Sequence, residues 1–265
     1  MKKIIVLSTC VLPLSACGWW DSAFAPYYAS SSPYNNYGQA RYSRGPGYYD
    51  RRRPDGVVSL EGGIGADFIT GGNLIDAGNA RLDGGQINGF SMRDAFETGT
   101  RYDVTATYPV NDNRYFTGTA YRTTYDGKTV NLPPQSGAPI AGTLSDYQAH
   151  GIEFGLRQYS PAPSGIIHPF VEGRIGGAYV DDIALRRGTE RIALFNRGWV
   201  PSASAMIGFE APASNQFTVG METGLRYQGR LGVITQEPTR DFTGNARSSG
   251  SLFSAPVMLR GRYRF

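Results

Sequence analysis

The chain has 265 residues, of which 40% are apolar and 35 are glycine, and its sequence pI is near 9.0. A soluble chain of this length is expected to build a larger apolar core than that composition allows. The pI does not indicate a nucleic-acid partner: Lys2 and Lys3 fall in a leader, and the remainder is nearly balanced at 24 basic against 22 acidic residues.

In chain order, Lys2 and Lys3 precede an apolar stretch from Ile4 to Ala16 that contains Pro13. This is the build of a secretory signal peptide, and it is too short to span a bilayer. The segment Leu14, Ser15, Ala16, Cys17 resembles the lipobox of bacterial lipoproteins, which implies removal of residues 1–16 and acylation of Cys17. A competing cleavage site at Ala23, Phe24, Ala25 is disfavoured by Pro26. Gly18 and Trp19 stand where an inner-membrane retention signal would carry Asp, so the resemblance favours export onward to the outer membrane. Cys10 leaves with the leader and Cys17 is committed to lipid, which excludes a disulfide or a Cys-based metal site in the mature chain.

Residues 17–56 hold seven of the seventeen tyrosines among Ser, Pro, Gly and Asn, followed by Arg51, Arg52 and Arg53, with no periodic apolar pattern. They are predicted to form a disordered tether. Their Tyr and Arg side chains suit contact with peptidoglycan or another envelope glycan, or with anionic head groups; a plain solvated spacer has the same composition.

Alternation of period two then recurs through residues 57–265 and predicts eight strands. The first sets Val58, Leu60, Ile64 and Phe68 against Glu61 and Asp67. The second sets Tyr102, Val104 and Tyr108 against Arg101 and Asp103, and the third runs from Arg114 to Tyr125 with Tyr115, Thr117, Thr119 and Tyr121 assigned to the lipid side. The fourth opposes Ile152, Phe154 and Leu156 to Glu153 and Arg157, and the fifth opposes Val171, Ile175 and Tyr179 to Glu172 and Arg174. The sixth carries Trp199, Ala203, Ala205, Ile207 and Phe209 outward, and the seventh turns Phe217, Val219, Met221, Leu225 and Tyr227 away from Glu222 and Arg226. The eighth, from about Leu252, ends with Leu259, Gly261, Tyr263 and Phe265 alternating with Arg260, Arg262 and Arg264.

Short turns (109–114, 160–167, 211–216) alternate with long polar segments (69–99, 126–146, 181–198, 229–250). That order fits a membrane barrel with short periplasmic turns and long outer loops, and eight is the smallest usual even strand number. The fold predicted is all-β: an eight-stranded antiparallel up-and-down transmembrane barrel behind a disordered N-terminal tail. Its expected inward residues are Glu61, Asp67, Arg101, Asp103, Arg122, Glu153, Arg157, Glu172, Arg174, Glu222, Arg226, Arg260 and Arg262. Such a mixture predicts a lumen of charge-assisted hydrogen bonds, since carboxylates there must be paired. An ion path through the lumen is the other reading of the same residues. Aromatic residues near strand ends, among them Phe68, Tyr108, Trp199, Phe253 and Phe265, are expected to form interfacial girdles.

The terminal Tyr263 and Phe265 resemble the C-terminal signal read by the outer-membrane barrel-insertion machinery. With the strand pattern, they make residues 57–265 similar to the small OmpA-type and opacity-protein barrels of the Gram-negative outer membrane. The resemblance implies a small barrel whose job is carried by its surface loops, in a structural, adhesive or partner-binding role and in contact with outer-membrane lipid and lipopolysaccharide; the residues add the expectation of a non-catalytic, cofactor-free protein. Lipid A deacylases and acyltransferases share the scaffold, with His, Ser and an acid at the outer rim. Here the histidines are His150 and His168, and His150 points to the opposite strand face from Glu153, against a catalytic dyad. The stretch Gly63, Ile64, Gly65 lies inside a strand and opens no helix, so it is not a nucleotide loop.

Overall fold

The computed structural model describes residues 58–76, 80–82, 85–111, 113–132, 140–160, 167–233, 242–244 and 250–265. The leader, Cys17 and the tether lie outside these residues. Eight long strands form the body: β1 (Ser59–Gly71), β2 (Gly99–Asn111), β3 (Arg114–Tyr125), β4 (Tyr147–Tyr159), β5 (His168–Val180), β6 (Gly198–Pro212), β7 (Phe217–Gln228) and β8 (Leu252–Arg264). Each pairs antiparallel with its neighbours in sequence, and β8 returns to β1 in the register Ser59 opposite Arg264 and Gly65 opposite Met258, so the barrel is closed. Closure leaves no unpaired strand edge, which is what allows a chain with a modest apolar content to hold together.

The alternation of side chains has the polarity of a soluble protein turned inside out. Ile175 and Leu225 are 68% and 65% exposed on the outer wall, while Glu153 and Arg157 are fully buried inside it. A strand turns every second residue to the same face, so one contrast of polarity per strand fixes its orientation.

In β3 that contrast is missing, and the expected assignment is reversed. Thr117, Thr119 and Tyr121 face the interior, whereas Phe116 and Arg122 face outward. The flanking strands determine this orientation: Thr119 and Thr105 of β2 meet through their hydroxyls at 2.9 Å, and the Tyr121 ring occupies the space beside Gly151 of β4 where a Cβ would stand. Arg122 is therefore not a lumen residue.

The long connections also differ from the polar loops expected of them. A five-stranded antiparallel sheet is assembled from three of them, in the order Gly232–Val233, Glu190–Asn196, Ile183–Arg187, Ile140–Leu144, Thr129–Leu132. The first long connection adds a short helix, Met92–Ala95, capped by Ser91, whose hydroxyl accepts from the Asp94 backbone N–H at 3.1 Å. Buried Leu74, Ile87, Met92, Phe96, Leu132, Leu185, Leu194 and Phe195 join Tyr125, Tyr147, Val180 and Leu252 from the strand ends in one apolar cluster. The four connections thus share a hydrophobic cap that sits on the long-connection mouth of the barrel.

Candidate functional site: the charged lumen and its apolar cap

Inward-facing positions on neighbouring strands converge on the barrel axis, so acids and arginines far apart in sequence meet there. Among the described residues the buried set comprises seven acids, Glu61, Asp67, Asp103, Glu153, Glu172, Glu210 and Glu222, and six arginines, Arg101, Arg157, Arg174, Arg226, Arg260 and Arg262.

Arg157 of β4 is the hub nearest the short-turn end. Its Nη1 and Nη2 donate to the two Glu61 carboxylate oxygens at 2.6 and 3.0 Å, its Nε donates to Glu172 at 2.8 Å, and Nη1 also reaches Glu210 at 3.1 Å. Arg174 donates through Nε and Nη2 to both oxygens of Glu172, at 2.6 and 2.8 Å, and bridges to Glu222 at 3.2 Å. Arg260 ties Glu222 (2.7 Å), Asp103 (2.9 Å) and Glu61 (3.2 Å) together, and Arg262 pairs with Glu210 and donates to the Tyr159 hydroxyl at 2.7 Å. The planar guanidinium fork is what lets one side chain serve two or three carboxylates in fixed directions.

A second cluster lies towards the cap. Arg226 donates to Asp67 and to the Thr123 hydroxyl, both at 3.0 Å, and its Nε stands 4.0 Å from Glu153. Two guanidinium groups stack on the Tyr121 ring, with Arg101 at 4.0 Å and Arg226 at 4.2 Å from its centroid. Each cation is attracted by the negative π-surface of the ring, which offsets part of the repulsion between the two like charges. Above this level Tyr147 donates to Gln228 at 3.0 Å, and the apolar cap begins.

The ten residues singled out from sequence for a lumen network, Glu61, Asp103, Glu153, Arg157, Glu172, Arg174, Glu222, Arg226, Arg260 and Arg262, are all buried and all lie in this interior. Arg122 is not among them. Glu210 was missed, although it continues the inward parity of Ser202, Ser204 and Met206 along β6. Tyr121 and Tyr159 were also missed as lumen residues, the first because β3 was assigned the wrong way round. Tyr263 and Phe265 both point outward at the short-turn end, with ring centroids 5.3 Å apart. His150 is exposed on the outer wall, Glu153 is inside, and half-buried His168 lies at the short-turn end of β5. Among the described residues no group of three or more His, Cys, Asp or Glu side chains is placed to hold a metal ion.

No family model and no curated protein matches the chain. Among solved structures it is similar to Neisserial surface protein A, at 11% identity and a TM-score of 0.43, covering 80% of this chain and 98% of that one. It is also similar to the outer membrane protein OprG from Pseudomonas aeruginosa (14%, TM-score 0.42, 79% and 96%) and to the outer membrane protease OmpT from Escherichia coli (9%, TM-score 0.42, 80% and 97%). Likeness at this level carries nothing about activity, ligand or partner, and the architecture rests on the strand pairing described above.

Proposed function

We propose that this chain is a non-catalytic outer-membrane β-barrel protein that acts through the surface of its folded cap, in a structural, adhesive or partner-binding role. The observation that carries the reading is the polarity of the closed barrel: a wall of exposed Ile, Leu, Val and Phe around an interior of buried, mutually paired charges. In water that arrangement wastes its apolar surface, whereas in a bilayer it is the stable one. Tyr108, Phe209, Phe217 and Tyr263 near one rim, and Phe68, Tyr102, Trp199 and Phe253 near the other, suit two interfacial girdles. The leader brings the chain to the envelope, Tyr263 and Phe265 address it to the insertion machinery, and Cys17 anchors it through lipid. Ser59 and Arg264 are paired at the short-turn end, which in this reading is the periplasmic end of the barrel.

A lumen filled by the Arg and Glu network and closed by the cap does not favour an ion path. His150 on the outer wall and Glu153 inside do not favour a lipid A-modifying centre. The test is fractionation of the expressing cells with electrophoresis of unheated and boiled samples. A heat-shifted band in the outer-membrane fraction is expected, and a soluble, unshifted protein overturns the reading. Mass spectra of lipid A with and without expression should be identical, and an acyl chain lost or gained would move the protein to the enzyme class. Labelled palmitate should enter the wild type and not the Cys17→Ala variant.

A further inference from the structure

The outer wall of the barrel departs from its apolar rule at one place. Among the described residues, Arg122 and His150 are the only acidic or basic side chains that face outward between the end positions of the eight strands. They are direct partners across the β3 and β4 pairing, which brings their Cβ atoms to about 5 Å. Each lies three residues inside the long-connection end of its strand, the end that carries the cap. On one side Arg122 is partnered by Tyr102, and on the other His150 is partnered by Tyr179, which packs edge-on to Trp199 at 5.8 Å. The aromatic girdle of this rim is thus interrupted by a basic pair.

Gln148 accepts a hydrogen bond from Arg122 Nη2 at 3.0 Å, which orients the guanidinium; among the described residues its other N–H groups meet no further side-chain acceptor and no carboxylate pairs with it. A cation on a lipid-facing wall is tolerated near the interface and is stabilised there by an anion. His150 offers an N–H donor in either protonation state. We propose that Arg122 and His150 form a lipid-facing site for the phosphate of an anionic outer-leaflet glycolipid of the lipid A type. The rings of Tyr102, Tyr179 and Trp199 would lie along its sugar and upper acyl region. This inference rests on the outer-membrane reading given above.

The test uses the full-length protein in a neutral maltoside detergent, with bisphosphorylated lipid A and the same lipid A stripped of its phosphates as probes, and native mass spectrometry or thermal unfolding as readout. The wild type should prefer the phosphorylated probe by about tenfold. The Arg122→Gln/His150→Gln variant should bind both probes alike, and Arg122→Lys should retain part of the preference. No preference in the wild type, or an undiminished preference in a folded double variant, overturns the proposal. If the double variant lacks the heat-dependent mobility shift, the single variants Arg122→Gln and His150→Gln carry the same comparison. Absence of the barrel from the outer-membrane fraction would overturn the proposed function itself, whereas a barrel present there without phosphate preference overturns this inference alone.

Discussion

Replacing Arg157 by methionine removes the cation that holds Glu61, Glu172 and Glu210 together. Four carboxylate contacts disappear: two to Glu61 at 2.6 and 3.0 Å, one to Glu172 at 2.8 Å and one to Glu210 at 3.1 Å. Each acid retains another arginine: Arg260 for Glu61, Arg174 for Glu172 and Arg262 for Glu210. Removal of one partner from a buried ion pair costs about 3–5 kcal/mol, and the remaining arginines should hold the loss near the lower end, about 3 kcal/mol. Arg157→Lys should cost less but is no rescue, because an ammonium cannot serve the Glu61 fork and Glu172 from one position. The assay is reversible urea unfolding of the barrel in lipid vesicles, followed by the heat-dependent mobility shift. The Arg157→Met/Glu61→Gln double variant should be less destabilised than the sum of its single variants, by about 1 kcal/mol or more. A loss below about 1 kcal/mol for Arg157→Met, with additive single variants, would refute the reasoning and mean that water already satisfies these carboxylates.

The same unfolding assay separates the ring of Tyr121 from its hydroxyl: Tyr121→Leu loses both cation–π contacts and should cost about 2 kcal/mol. Tyr121→Phe should be nearly neutral, since the hydroxyl contact to Gln228 is long at 3.5 Å. Gly151→Ala puts a methyl group where that ring lies and should destabilise by about 1–3 kcal/mol, an effect that Tyr121→Leu in the same chain should reduce. Leu185→Asp introduces a charge into the fully buried core of the cap; trypsin should then cut near Arg186, Arg187 or Arg191 while the barrel keeps its mobility shift, and loss of that shift would mean that cap and barrel do not fold separately. Deletion of Phe265 should slow assembly in a pulse-chase experiment without changing the stability of barrels already formed, because its side chain is 72% exposed.

Seven of the eight strands were legible because each sets a charged or small polar face against one of apolar groups, and a period of two leaves no freedom once the faces are known. In β3, Thr117, Gly118, Thr119 and Ala120 carry no such contrast, and outward Arg122 points the assignment the wrong way. Which inward charge meets which was not legible, because Arg226 and Asp67 are 159 positions apart and meet only once the sheet closes with its particular stagger. The cap was hidden for a similar reason. Its apolar runs, Ile183 to Leu185 and Ile192 to Phe195, are short and flanked by Arg186, Arg187 and Arg191, and each becomes a core only when stacked on residues of other connections.

The shared core of the cap bears on how its surface can diversify. Loops that hang independently from a barrel can be exchanged one at a time, by evolution or by grafting. Here the strand Ile183–Arg187 pairs with Glu190–Asn196 of its own connection and with Ile140–Leu144 of the one before, and Glu190–Asn196 pairs in turn with Gly232–Val233 of the one after. A foreign segment inserted in place of any one of them leaves the others with unpaired edges and an opened apolar face. Variation is therefore channelled into outward positions such as Thr129, Asn131, Ala141 and Thr143, so that the exposed face can change its chemistry while its shape is inherited as a unit.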